Sequence, residues 1–151
     1  MLLDASKRRD LEGVDYSGLV HNSLDLCDCT LSGAKFAGAS MYRLRMSGSV
    51  AVNVDFTHCR MSDCDMRGTD FCGSDFTDAF AKWGYFQGSS LRYAKMCGSF
   101  RHAVFLRADL RGADLVGGDF EGCSFRDAKL DPAQRAYLRM TQVDLIGLEA
   151  A

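Results

Sequence analysis

The sequence predicts an all-β solenoid, a chain wound into a four-sided parallel β-helix of about six coils and closed by a short C-terminal helix. Three observations predict it. A large apolar residue recurs every five positions, a small residue stands two places before it, and a glycine often stands two places after it. The chain has 151 residues, room for one domain.

The apolar centres run in fives from Leu11 through Tyr16, His21, Leu26 and Phe36 to Met96; one step of four reaches Phe100, and the fives resume to Leu130. Of these 25 centres, 9 are Phe, 7 Leu and 5 Met. Nine of the ten phenylalanines are in register, Phe80 being the exception. Ala, Cys, Ser, Gly or Thr fills 19 of the 25 small positions, and 12 of the 15 glycines fall two places after a centre.

A period of five suits neither regular element. Five helical steps of about 100° leave the side chain out of phase, and an odd step along a strand flips it to the other face. The chain must therefore turn once per repeat. If the small residue and the centre both point inward along a short extended segment, the glycine beyond them supplies the corner. Four corners close a square, and stacked squares hydrogen-bond as parallel strands roughly 4.8 Å apart, giving a rod on the order of 30 Å long.

The clearest copies read Ala-Asp-Leu-Arg-Gly (Ala108 to Gly112), Ala-Asp-Leu-Val-Gly (Ala113 to Gly117) and Gly-Asp-Phe-Glu-Gly (Gly118 to Gly122). This pattern resembles the pentapeptide-repeat family, whose motif is a small residue, Asp or Asn, Leu or Phe, any residue, and Gly. The resemblance spans Arg9 to Asp131 and implies a right-handed quadrilateral parallel β-helix. Residues 1–8 then form a lead-in, 9–131 the β-helix, and 132–151 a helical cap. The departures are Leu19, Leu24 and Leu44 at small positions, Ala51 and Ala81 as undersized centres, and His21 as a polar one. They predict local distortion in the first two coils.

Stacking the repeats on four faces puts Leu and Phe in the first column, Tyr16, Phe36, Phe56 and Phe76 in the second, Met41, Met61, Ala81 and Phe100 in the third, and Met46, Met66, Phe86 and Phe105 in the fourth. These columns read as core. The four-residue step between Met96 and Phe100 reads as one corner shortened at Cys97 and Gly98. At the C-terminal end Asp131 and Pro132 form an N-cap and first helical residue, followed by Ala136, Tyr137 and Met140 on one helix face. The cap covers strand edges that would otherwise invite end-to-end association. Tyr137, Met140, Val143, Leu145, Ile146 and Leu148 are too apolar for a free terminus; they either fold back on the last coil or form a homodimer contact, which the resemblance favours.

Composition excludes several functions. With 47% hydrophobic residues, 25% charged residues and a net charge of −2, the chain is neither a disordered tail nor a strongly basic nucleic-acid binder. No apolar stretch is long enough to cross a membrane and no signal peptide is visible, so the cytoplasm is expected. The seven cysteines read as buried side chains or free thiols, with Cys29, Cys59 and Cys64 inside and Cys27 outside. His21 maps inward at the third face, His58 to the corner after the second face, and His102 to the corner after the third. They do not converge, and a solid rod has no cleft, so no enzyme activity, metal or cofactor is expected.

Two surfaces remain. On the third face the outward aromatics Tyr42, Phe80 and Trp83 are expected to cluster, with Tyr85 round the corner and Arg43, Arg60, Lys82, Arg101 and His102 about them. Aromatic anchors among cations have the composition of a protein interface; the competing expectation turns Phe80 inward over Ala81. On the second face Asp55, Asp75 and Asp114 share a column with Lys35 and Lys95. The resemblance includes proteins that bind type II topoisomerases as acidic DNA mimics, but here acids only slightly outnumber bases. The sequence thus predicts a non-enzymatic protein-protein interaction module with an unnamed protein partner; the alternative is a DNA-mimicking binder of gyrase.

Overall fold

The computed structural model describes residues 9–141 and residue 143. The expected lead-in over 1–8 and the tail residues Leu145, Ile146 and Leu148 lie outside the described residues. Within them the chain is a right-handed quadrilateral β-helix. Its regular strands are short: β1 (Arg9–Asp10) pairs in parallel with β2 (Cys29–Thr30), and single parallel bridges carry the ladder onward. The bridges link residues one coil apart, from Asp15 with Lys35 and Val20 with Ser40 up to Asp109 with Lys129.

The corner explains the repeat. Two residues after each centre, from Gly13 to Asp127, φ lies between +53° and +82°, except after Met96. The centre and the corner residue both donate N–H groups to the coil above, as Phe36 does to Asp55 O (2.7 Å) and Gly38 to Thr57 O (2.8 Å). The residue before the centre donates to the coil below, as Lys35 does to Val14 O at 2.9 Å. The polypeptide therefore satisfies its backbone between coils, although it has almost no continuous strand.

Every centre from Leu26 to Leu130 is buried. Rings stack up the second column, with Phe36, Phe56 and Phe76 at centroid separations of 5.4 and 4.9 Å, and up the fourth, with Phe86, Phe105 and Phe125 at 5.0 Å each. The undersized centres are not voids. Ala81 shares its layer with Phe71, Phe76 and Phe86, whose rings meet across the axis at 5.5 to 6.4 Å. Phe71 also reaches to 5.8 Å from Phe56 in the layer of Ala51. Most small hydroxyls fit inside by donating downward to a centre's carbonyl, Ser49 to Leu26 O, Thr69 to Met46 O and Ser74 to Ala51 O at 2.6 to 2.7 Å, while Ser89 donates to Phe86 O in its own coil.

Three expectations need correction. The first two coils are not distorted, for the ladder runs through them without a break. Leu44 is wholly buried between the flexible Met41 and Met46, and Leu19 and Leu24 sit partly buried in the first described coil. His21 does not point inward. It is exposed in the first coil, and its Nδ1 donates to Asn22 O at 2.9 Å. The α1 helix (Pro132–Met140) buries Gln134 and Leu138 rather than Ala136 and Met140. Gln134 closes the top edge: its amide donates to Leu110 O and Ala113 O at 2.6 and 2.8 Å and accepts from Asp131 N–H at 2.8 Å. Asp131 and Tyr137 accept from the Gly112 and Gly117 N–H groups, adding two further links between cap and rod.

The four-residue corner is crowded. Gly98 does not take the left-handed conformation, and a Cβ built on it would lie 2.7 Å from both Phe76 O and Ala79 O. Gly118, one coil above, faces Met96 O in the same way. At both positions a backbone carbonyl of the coil below occupies the place of a Cβ, so only glycine fits. Gly98→Ala should therefore destabilise the rod by about 1–3 kcal/mol through overpacking. Equilibrium denaturation checks this, and a midpoint equal to that of the parent would show that the corner has room.

Candidate interaction surface

The outward column of the third face reads Val20, Ser40, Arg60, Phe80, Ser99 and Asp119 from bottom to top, and Lys82 and Trp83 form the corner beside Phe80. Phe80 points outward with 49% of its surface exposed, so it does not fill the space at Ala81. Trp83 is 52% exposed and lies parallel to His102, the corner residue one coil above, at a centroid distance of 5.7 Å. Tyr85 follows on the fourth face and is also exposed. One coil thus presents Phe80, Lys82, Trp83 and Tyr85 in succession round a corner.

Tyr42 does not join the Trp83 cluster. Their corners are two coils apart, with Ser62 and Asp63 between them, because the chain needs twenty residues to return to a face. Tyr42 instead packs under the Arg43 guanidinium, 5.1 Å from its ring, and shares with Tyr85 a shallow groove of about 430 Å³ that also contains Asp63 and Asp65. The cations differ in their commitments. Arg101 is held by Asp119 at 3.7 Å and by Glu121, whereas Arg60 and Lys82 form no ion pair among the described residues. Arg60 lines a separate hollow beside Phe80.

Trp83 occupies a corner at φ +54°. A left-handed conformation is unfavourable for a bulky residue, and nothing inside the rod requires an indole there. Tyr93, at φ +59° on the first corner, is a second exposed aromatic of this kind and was not evident as a surface residue in the sequence. Its ring lies against Gly112 above and beneath the Arg92 guanidinium, 5.4 Å away. A bulky residue at a glycine position is the signal that could have found it.

The second face carries Asp15, Lys35, Asp55, Asp75, Lys95 and Asp114, with Lys95 and Asp75 paired at 3.6 Å. Here the aspartates also have a local task. Asp55, Asp75 and Asp114 each accept the N–H two residues on, from Thr57, Thr77 and Val116, at 2.9 to 3.1 Å. The same bond recurs at Asp15, Asp25, Asp65 and Asp109, which explains the acidic second position of the repeat. Of the C-terminal apolar residues, Tyr137 and Val143 pack on the chain's own last coil and Met140 is exposed.

Cys27 is half-buried and Cys29 fully buried; Cys59, Cys64 and Cys123 are buried, and burial pushes their thiols up to about 12. Among the described residues no group of three or more His, Cys, Asp or Glu is placed to hold a metal, and no helix is long and apolar enough to cross a membrane.

Five-residue corners, inward small and apolar columns, and aspartate-braced turns define a solenoid of pentapeptide repeats. The family model for pentapeptide repeats matches in eight copies over residues 52–83 and 85–127, and the chain belongs to this family. Solved structures with the same repeats are similar to it. A pentapeptide repeat protein, Rfr23, from the cyanobacterium Cyanothece 51142 is 18% identical over 82% of this chain and 88% of its own, with a TM-score of 0.43. QnrB1, a plasmid-mediated fluoroquinolone resistance protein, is 15% identical over 93% of this chain and 99% of its own, with a TM-score of 0.44. A pentapeptide repeat protein of the Arabidopsis thaliana thylakoid lumen is 24% identical over 86% and 74%, with a TM-score of 0.27. No curated protein sequence matches this chain. At these identities and scores the similarities do not bear on what the chain binds.

The turn aspartates set an acid limit. Hydrogen bonds from Ser17, Cys27, Arg67 and Arg111 hold Asp15, Asp25, Asp65 and Asp109 below the ordinary carboxylate range. A carboxylate depressed by folding contributes stability above its unfolded pKa and loses it as pH falls through the folded one. Stability should be level near neutrality and decline below about pH 4. Denaturant midpoints measured from pH 7 to pH 2 check this; a midpoint unchanged at pH 2 would mean that the bonds are not formed.

Proposed function

We propose that this chain is a non-enzymatic protein-interaction module that meets a protein partner through the third-face surface around Trp83 and Phe80. The observation that carries this reading is the tryptophan itself. An exposed indole stands in left-handed backbone, which glycine adopts without strain, and it is flanked by an outward phenylalanine and by Lys82 and Arg60, which pair with no acid among the described residues. Large aromatics beside available cations are the residues that dominate protein interfaces. The acidic second face supports a DNA-mimicking gyrase binder less well, since lysines interrupt its column and Lys95 pairs with Asp75.

Trp83→Gly relieves the corner while removing the anchor. It should shift stability by less than about 1 kcal/mol in either direction, whereas loss of an aromatic hot spot weakens binding by about 2 kcal/mol or more. Wild-type and variant proteins used as bait against extract of the native host provide the comparison, with Phe80→Ser as the second variant. Both variants should stay folded and fail to recover the wild type's partner. Recovery undiminished in both, or inhibition of gyrase supercoiling that survives both substitutions, would place the functional surface elsewhere.

A further inference from the structure

At the C-terminal end of the rod, on the side away from the Trp83 corner, four cations line one groove: Arg107, Arg111, Lys129 and Arg135, with Asp127 the only acid among its lining residues. The groove lies between the last coils and α1 and has a volume of about 540 Å³, which falls within the small-molecule range of about 300–1,000 Å³. Its charge runs against the rest of the molecule, whose net charge is −2.

The cations are not spread as they are elsewhere on the rod. On the second and fourth faces acids and bases are interspersed up a column, and Asp25 with Arg45 or Asp75 with Lys95 relieve one another. At the first corner Arg92 and Arg111 stand in the same column one coil apart, Arg92 packed on the Tyr93 ring and Arg111 held by Asp109. Arg107 and Lys129 form no ion pair among the described residues. Arg107 occupies a left-handed corner at φ +58°, another site that glycine would fill with less strain.

Arg111 is prepared for a ligand. Its Nε and one terminal nitrogen donate to the two oxygens of Asp109 at 2.9 and 2.7 Å, which fixes the plane of the guanidinium. The other terminal nitrogen makes no hydrogen bond among the described residues, and Arg111 lines the groove. A planar guanidinium held in this way suits the paired oxygens of a phosphoryl group. Arg107 and Lys129, which have no ion pair among the described residues, together match an anion of two or more charges, since a single carboxylate would neutralise only one of them. Asp127 is partly offset by Arg126, whose Nε lies 3.9 Å away.

We infer that this groove binds a small phosphate-bearing anion carrying at least two negative charges, with Arg107, Arg111 and Lys129 as its ligands. The site is separate from the third-face surface and does not depend on it.

Inorganic pyrophosphate is the probe, titrated calorimetrically into the full chain, with ADP as the organic source of the same group and sulfate as the control anion. Pyrophosphate should bind saturably at one site per chain, at least tenfold tighter than sulfate. ADP binding at equal or greater affinity would identify a nucleotide as an acceptable source, and ADP binding tenfold weaker would restrict the site to the free anion; either supports the phosphoryl reading. Arg107→Gly, which suits its corner, and Lys129→Ser, which copies Ser90 two coils below in the same column, should each weaken pyrophosphate at least tenfold, while Trp83→Gly leaves it unchanged. In the unaltered protein, pyrophosphate should also shield Arg111 from phenylglyoxal but not Arg67, whose guanidinium is held by Asp65 through the same pair of bonds. Absence of saturable binding, equal affinity for sulfate, equal shielding of both arginines, or unchanged affinity in both charge variants would overturn the proposal.

Discussion

A left-handed residue every five positions is the constraint on which the rest of this molecule depends. It turns the chain through a corner, returns each face to the same register after one coil, and aims alternate backbone groups at the coils above and below. The inward columns follow from it, because centres one coil apart are brought to ring-stacking distance only if every corner turns alike. Twelve of these corners are occupied by residues other than glycine. Each carries a conformational penalty of about 1–2 kcal/mol, so the stack must be stable enough to hold them. Those corners are also where large or charged side chains reach solvent, and both proposed surfaces draw on them, through Trp83 on one and Arg107 on the other.

Packing across the axis is settled layer by layer. The cross-section of a coil is limited, so three phenylalanines in one layer require an alanine as the fourth centre, as at Ala81. The shortened corner transmits the same limit along the axis, where Gly98 and Gly118 allow carbonyls of adjacent coils to approach. The ends obey a different rule. The top coil has carbonyls with no further coil to receive, and Gln134 supplies the donors that a next coil would have brought.

Much of this was legible in the sequence. A strict period identifies its own centres, so burial from Leu26 to Leu130, the four columns and the position of the short corner could all be read directly. Where the period gave no information, the reading was weaker. His21 has the register of a centre but lies in the first described coil, where no described layer below encloses it. Tyr42 shares a face with Trp83, yet sharing a face leaves height undetermined until coils are counted. The buried side of α1 depended on Gln134, a polar residue whose place at the interface arises from open carbonyls rather than from hydrophobic pattern. Its spacing from Asp131, a capping-box spacing, was the available signal. Ala51 and Ala81 read as gaps because a linear pattern does not show that neighbouring rings lean into them.

Amide hydrogen exchange followed residue by residue tests the corner-and-ladder account most directly. The centre, the residue before it and the corner residue each donate to an adjacent coil, whereas Ser32, Ala37, Ser62 and Lys82, one place after their centres, donate to no backbone carbonyl among the described residues. Protection should therefore repeat every five residues, with fast exchange one place after those centres that no turn aspartate precedes, and should shift phase by one residue at Cys97 and Gly98. Protection that alternates every second residue, or that continues through Gly98 without a change of phase, would contradict it.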